Sequence, residues 1–183
     1  MDAAQRRLSP NRDARPPHAA IALVIVHGIS LPPGKFAGPG IGALFSNRLR
    51  SASHPYYAAI AKLRVSAHFL IRRHGELLQF VACGDRAWHA GVSLWRGREG
   101  CNDFSIGIEL EGSDSVPYTA RQYAQLGRLI DALQRRYPIA EIAGHSDVAP
   151  GRKTDPGHAF DWPRLERRLR RRTAAVCGVP FAA

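Results

Sequence analysis

The sequence predicts an α/β (α+β) fold: a single domain with a central mixed β-sheet flanked by helices. Three observations carry this expectation. The β-rich apolar run IALVIVH (21–27) and the alternating run FSIGIEL (104–110) read as strands. A stretch from Thr119 to Tyr137 repeats its apolar residues at helical spacing. Strands interleaved with helices, together with an apparent hairpin, favour a mixed sheet.

Taken in order, the opening segment MDAAQRRLSPNRDARPPHAA mixes arginines with acids and has no apolar centre, so it does not read as a secretory signal. It predicts an irregular, partly extended arm over residues 1–18 and a cytoplasmic location. The longest apolar run, Ala19 to Val26, is far too short to cross a bilayer. After the first strand comes the loop GISLPPGKFAGPG, then a short helix candidate, IGALFSNRL (41–49). VSAHFLI (65–71) and ELLQFV (76–81) flank Arg72-Arg-His-Gly75, which predicts a hairpin with a short glycine-containing turn.

In the run 104–110, Phe104, Ile106, Ile108 and Leu110 fall on one face and Ser105, Gly107 and Glu109 on the other. Thr119 with Gln122 makes a capping-box pattern that opens the clearest helix. Tyr123, Leu126, Ile130, Leu133 and Tyr137 form its apolar stripe, and Pro138 ends it. IAEIA (139–143) predicts a fifth strand. It leads into GHSDVAPGRKTDPG (144–157), where Pro150, Gly151, Pro156 and Gly157 predict an irregular surface loop. A second helix is expected from about Trp162 to Arg172, with Trp162, Leu165 and Leu169 on one face and arginines on the other. The domain is expected over residues 19–175, followed by a tail over 176–183.

Composition narrows the class. At 183 residues, with 45% hydrophobic and 22% charged residues, the chain suits one ordinary globular domain. Cys83, Cys101 and Cys177 are widely spaced with no CxxC pair, which argues against a thiolate metal site or a redox motif. The net charge is +11, and 23 of the 26 basic residues are arginines. A basic surface attracts nucleic acid or a carboxylate-bearing substrate, and charge alone does not choose between them. No zinc-finger spacing or aromatic RNA-binding motif supports nucleic acid, and the run Arg167–Arg172 fits a solvated helix face. The expectation is therefore no nucleic-acid partner, no membrane and a monomer.

The chemistry concentrates in a few residues. His27 closes an apolar strand before a Gly/Pro loop, though by position alone it also fits a histidine satisfied by a backbone carbonyl. His145 follows another strand in the same manner, and Asp155 lies ten residues beyond it. Two imidazoles and one carboxylate suit zinc and leave a fourth tetrahedral position open, the arrangement of catalytic sites. Glu109, on the small-residue face of its strand, is a candidate to take a proton; its ordinary reading is a solvent-facing glutamate. Lys153, two residues before Asp155, is a candidate to stabilise a developing oxyanion; its ordinary reading is a solvated loop charge.

Four blocks then carry a resemblance: VIVHGISLPPGKFAGPGI, HPYYAAIAKLRVSAHFLIRRHGELLQFV, RAWHAGVSLWRGREGCNDFSIGIELEG and GHSDVAPGRKTDPG. In order, from about Ile21 to Trp162, they resemble the AmpD-type N-acetylmuramoyl-L-alanine amidases. These are zinc-dependent enzymes of the amidase-2 family, whose fold is shared with peptidoglycan recognition proteins. The resemblance implies a Zn2+ cofactor held by His27, His145 and Asp155, with Glu109 as general base and Lys153 as the catalytic lysine. It implies hydrolysis of the amide between muramic acid and L-alanine, an anhydro-muropeptide substrate, and a place in cell-wall recycling that influences β-lactamase induction.

By the same analogy Tyr56, Arg64, Trp88, His89 and Asn102 are substrate contacts, whereas His54 and His68 are structural. Two positions depart from the family pattern: Gly28 stands where asparagine is common, and Gly100 where arginine is common. The rival reading is a peptidoglycan-binding module of the same fold without catalysis. The presence of all three candidate ligands, the lysine and the glutamate argues for an enzyme.

Overall fold

The computed structural model describes residues 4–170. The N-terminal segment supplies two short strands, β1 (Gln5–Arg6) and β2 (Arg12–Ala14). The first long strand, β3 (Leu23–Ile29), leads to the short helices α1 (Gly40–Phe45) and α2 (Pro55–Ile60). The strands β4 (Phe69–Ile71), β5 (Leu77–Gln79) and β6 (Asp85–Ala87) follow, then a small hairpin of β7 (Leu94–Trp95) and β8 (Arg98–Glu99). The central strand β9 (Ser105–Glu111) precedes the long helix α3 (Ala120–Gln134). β10 (Glu141–Gly144), a single turn α4 (His145–Val148) and α5 (Trp162–Arg170) complete the described chain.

One six-stranded sheet, ordered β1-β5-β4-β9-β3-β10, organises these elements. β4, β9, β3 and β10 run parallel to one another, and β5 pairs antiparallel with β4. The mixed sheet is thus the expected one. The β4–β5 turn closes through Arg72 N–H to Glu76 O (3.0 Å), with Gly75 at φ +86°, a conformation that side chains resist.

Alternation divides the sheet into two faces. Val24, Val26, Ile106, Ile108 and Leu110 pack under α3 and α5, against Tyr123, Leu126, Ile130, Leu133, Leu165 and Leu169. On the opposite face Leu70 and Leu78 meet Ile41 and Phe45 of α1, while Leu23 and Ile25 meet Ala143 and Val148. Both halves of the capping box of α3 form: Thr119 Oγ1 accepts from Gln122 N–H (3.1 Å), and Gln122 Oε1 accepts from Thr119 N–H (3.0 Å).

Several expectations change. The N-terminal arm is built into the fold: β1 extends the main sheet beside β5, and β2 pairs antiparallel with β6. Arg15 holds it there, donating to the carbonyls of Cys83 (3.2 Å), Asn102 (3.0 Å), Asp103 (2.9 Å) and Ser105 (2.8 Å). Phe104 leaves the face of Ile106 and joins the cluster of Leu23 and Ile25, because its backbone (φ −128°, ψ 13°) still belongs to the 3-10 turn Cys101–Asp103. α3 stops at Gln134, before Tyr137, since Pro138 disfavours helical backbone at the residue preceding it. The loop after β10 does admit one helical turn ahead of Pro150, capped by Asp147 Oδ2 accepting from Gly144 N–H at 2.6 Å. The tail over 176–183, Cys177 and the last two residues of the expected second helix lie outside the described residues.

Candidate metal centre

Three parallel strands deliver the site. On β9 and β3 the register places Glu109 directly beside His27, both on the face opposite α3. Gly144, the last residue of β10, pairs with Val26, so His145 follows one step further and beside His27. The carboxyl ends of parallel strands are a common place for a site in sheets of this kind. Asp155 arrives from the following loop, where its carbonyl accepts from Ser146 N–H (2.9 Å) and the next carbonyl, Pro156 O, accepts from Tyr118 Oη–H (2.9 Å).

These three side chains converge. His27 Nδ1 and His145 Nδ1 are 3.0 Å apart; Asp155 Oδ2 lies 3.3 Å from the first, and Asp155 Oδ1 lies 3.1 Å from the second. His27 is 1% exposed and His145 3%, so solvent does not satisfy the facing nitrogens. Burial pulls the His27 imidazole down to about 4, against the Asp155 hydrogen bond that favours its charged form. Burial of Asp155 opposes its ionisation, but hydrogen bonds with His145 and His27 outweigh it and hold the carboxyl well below its usual range. The resulting state, a neutral His27 beside an ionised Asp155, is the donor state a cation requires.

Glu109 completes the inner surface. It is 8% exposed, and its Oε2 is buried without a hydrogen-bond partner. Burial, then the charge of Asp155, raises its carboxyl well above the ordinary range; the charge of Lys153 works the other way. Lys153 itself is exposed, on a turn closed by its N–H to Ala149 O (3.1 Å). Glu111, two residues on, has a different task. Its Oε1 accepts from Ala37 N–H (2.7 Å) and Arg72 (3.2 Å), so it ties the 30–39 loop to the sheet.

The five residues expected as substrate contacts separate into two groups. Tyr56 is exposed on α2, and Arg64 is exposed, its guanidinium donating locally to Lys62 O (3.3 Å) and Leu63 O (3.5 Å). Trp88, His89 and Asn102 are instead engaged by the scaffold. The Trp88 indole N–H donates to Asp13 Oδ1 (3.1 Å). His89 Nδ1 meets His27 Nε2 (3.0 Å), and Asn102 Oδ1 accepts from the N–H groups of His89 (3.2 Å) and Ala90 (2.8 Å). As expected, His68 and His54 are structural: His68 is buried and accepts from Gly107 N–H (3.0 Å), while His54 caps α2.

Sequence reasoning missed Tyr118 and the true function of Gly107. The space beside Gly107 is filled by the His89 ring, which a Cβ there would approach to 2.5 Å. The Tyr118 ring lies on Gly112, and its hydroxyl covers Gly28, where a Cβ would come within 2.3 Å of Oη. Gly100 has φ +68°, a conformation that side chains resist.

Comparison with known proteins decides the family. The profile described as N-acetylmuramoyl-L-alanine amidase matches residues 17–158. The chain belongs to this amidase family. The amidase is 57% identical over 164 residues to the Escherichia coli (strain K12) 1,6-anhydro-N-acetylmuramyl-L-alanine amidase AmpD, spanning 88% of this chain and 90% of that protein. Its fold superimposes on the crystal structure of a selenomethionine AmpD derivative with a TM-score of 0.90 and 55% identity, over 92% of this chain and 96% of that one. A third likeness, at 28% identity and a TM-score of 0.57, is to the E. coli amidase AmiD in complex with anhydro-N-acetylmuramic acid-L-Ala-D-gamma-Glu-L-Lys; it covers 92% of this chain and 60% of that one. Among the amidase's described residues no helix is long and apolar enough to cross a membrane.

Proposed function

We propose that this amidase uses zinc to hydrolyse the amide joining the lactyl group of 1,6-anhydro-N-acetylmuramic acid to L-alanine in small muropeptides. One observation carries the reading: two Nδ1 atoms and a carboxylate converge at 3.0–3.3 Å beside a buried, unpartnered glutamate oxygen. Donors set about 2.0–2.1 Å from one tetrahedral centre lie roughly 3.3 Å apart, so the trio fits zinc closely. Two facing imidazole nitrogens also repel unless a proton or a cation lies between them, and neutral His27 favours the cation.

Bound zinc supplies Lewis acidity toward the amide carbonyl and makes a bound water more acidic. The remaining steps belong to the chain. Glu109, whose Oε2 is buried with no other hydrogen-bond partner, takes a proton from the attacking water and delivers it to the departing alanine nitrogen. Lys153 places its ammonium against the carbonyl oxygen as negative charge develops there. Tyr56 and Arg64 present an aromatic ring and a guanidinium to sugar or peptide carboxylate from the surface. A cytoplasmic monomer working on recycled fragments belongs to the same reading.

Mass analysis of an anhydro-muramyl-tripeptide incubated with the zinc-loaded protein tests it. The expected products are the anhydro-sugar and the free peptide. Binding without cleavage would leave only a recognition module.

A further inference from the structure

We infer that the segment His89–Ala90, held by Asn102 and Arg152, is the outer support of the metal centre and fixes the tautomer of both its histidines. Asn102 is on this account a positioning residue for the metal, not a substrate contact. The inference rests on the zinc reading above.

The argument follows the protons. A histidine that offers Nδ1 to a metal carries its proton on Nε2, and that N–H needs an acceptor. His145 Nε2 lies 3.1 Å from Ala90 O, and a carbonyl can only accept. This contact leaves His145 Nδ1 free for a cation. His27 Nε2 lies 3.0 Å from His89 Nδ1, which accepts if His89 is protonated on its own Nε2; that nitrogen faces Ser105 Oγ at 3.4 Å. Two consecutive residues therefore terminate both outward N–H groups, one by side chain and one by backbone.

The segment is fixed from three sides. Asn102 Oδ1 accepts both backbone N–H groups, from His89 at 3.2 Å and Ala90 at 2.8 Å. Arg152 donates to Ala90 O (2.6 Å) and Val92 O (2.5 Å) from the loop that carries Asp155. Gly107 leaves the space in which the His89 ring sits. Removing the Asn102 amide leaves two N–H groups without their acceptor and frees Ala90 O to move away from His145.

Apo-protein titrated with zinc against a competing chelator tests this, with circular dichroism to confirm folding. Asn102→Ala is expected to weaken zinc binding by about 10-fold to 100-fold, the usual effect of losing outer support. Asn102→Asp keeps an oxygen acceptor and is expected to recover most of the affinity. Arg152→Ala, an exposed-loop change, is expected to weaken zinc in the same direction and decides the matter if Asn102→Ala does not fold. Wild-type affinity in a folded Asn102→Ala, with only a raised KM, makes Asn102 a substrate contact and overturns the inference. So does unchanged zinc affinity in Arg152→Ala. If the wild-type chain itself takes up no zinc, the zinc reading fails instead.

Discussion

On β9, Ile106, Ile108 and Leu110 point toward α3 and α5, while Ser105, Gly107 and Glu109 point the other way; all seven residues of the strand are buried. The two faces differ in what meets them. On the first, the packing is aliphatic and aromatic, and the buried polar group among it, Gln122, is paired with the carbonyls of Ile71 (3.3 Å) and Glu111 (2.9 Å). On the second, the strand meets histidine rings, the trio at the strand ends and one glutamate oxygen without a partner. Burial of a polar group is costly unless it is paired, so an interior face that stays polar signals chemistry. Alternation in the sequence shows that the faces differ, but not that the polar one is covered.

The largest expected effect is on the polar face. His145→Ala is expected to remove zinc and activity together, read by metal content and product release; full zinc and full rate would break the assignment of this face. Next comes Glu109→Gln, which keeps shape and removes the base. It is expected to lower kcat on the order of 10²–10⁴-fold with zinc retained. Loss of zinc in this variant would move Glu109 into the ligand set. Lys153→Ala is expected to lower kcat by about 10²–10³-fold, again with metal bound. The comparison is sharpened on the apolar face by Leu126→Ala, a fully buried α3 residue. Chemical denaturation should show a loss of about 2–5 kcal/mol, while kcat per folded molecule and zinc affinity stay at wild-type values.

The two faces were also unequally legible. The aliphatic face follows from period: Tyr123, Leu126, Ile130 and Leu133 announce α3, and the Thr119–Gln122 pair announces its start. His27 and His145 were readable because each closes or follows an apolar run, and Asp155 from its place in the turn-rich segment ten residues beyond His145; the trio does converge. What surrounds them was not readable. Ala90 acts through its carbonyl, which every residue possesses, so no side-chain pattern marks it. His89 and Asn102 look like exposed groove residues, yet their partners lie 62 and 13 or fewer residues away in the chain, within the scaffold. β1 and β2 have two and three residues, too few for any period to register, and their order comes from Arg15 and strand pairing.

Tyr118 has a consequence for how such a chain can diverge. Its ring is wedged over Gly112 and its hydroxyl over Gly28, with no room for a side chain at either position. The tyrosine is 4% exposed and hydrogen-bonded to the residue after Asp155, so it cannot simply swing aside. An asparagine introduced alone at position 28 therefore displaces the wedge and disturbs the loop that carries Asp155. With a smaller residue at 118, the nearest remaining neighbours of a Cβ at 28 are Pro156 Cα (3.4 Å) and Pro156 O (3.6 Å), ordinary contact distances. Positions 28, 112 and 118 are thus coupled by sterics: a side chain at 28 or at 112 needs the space that the Tyr118 ring and hydroxyl fill.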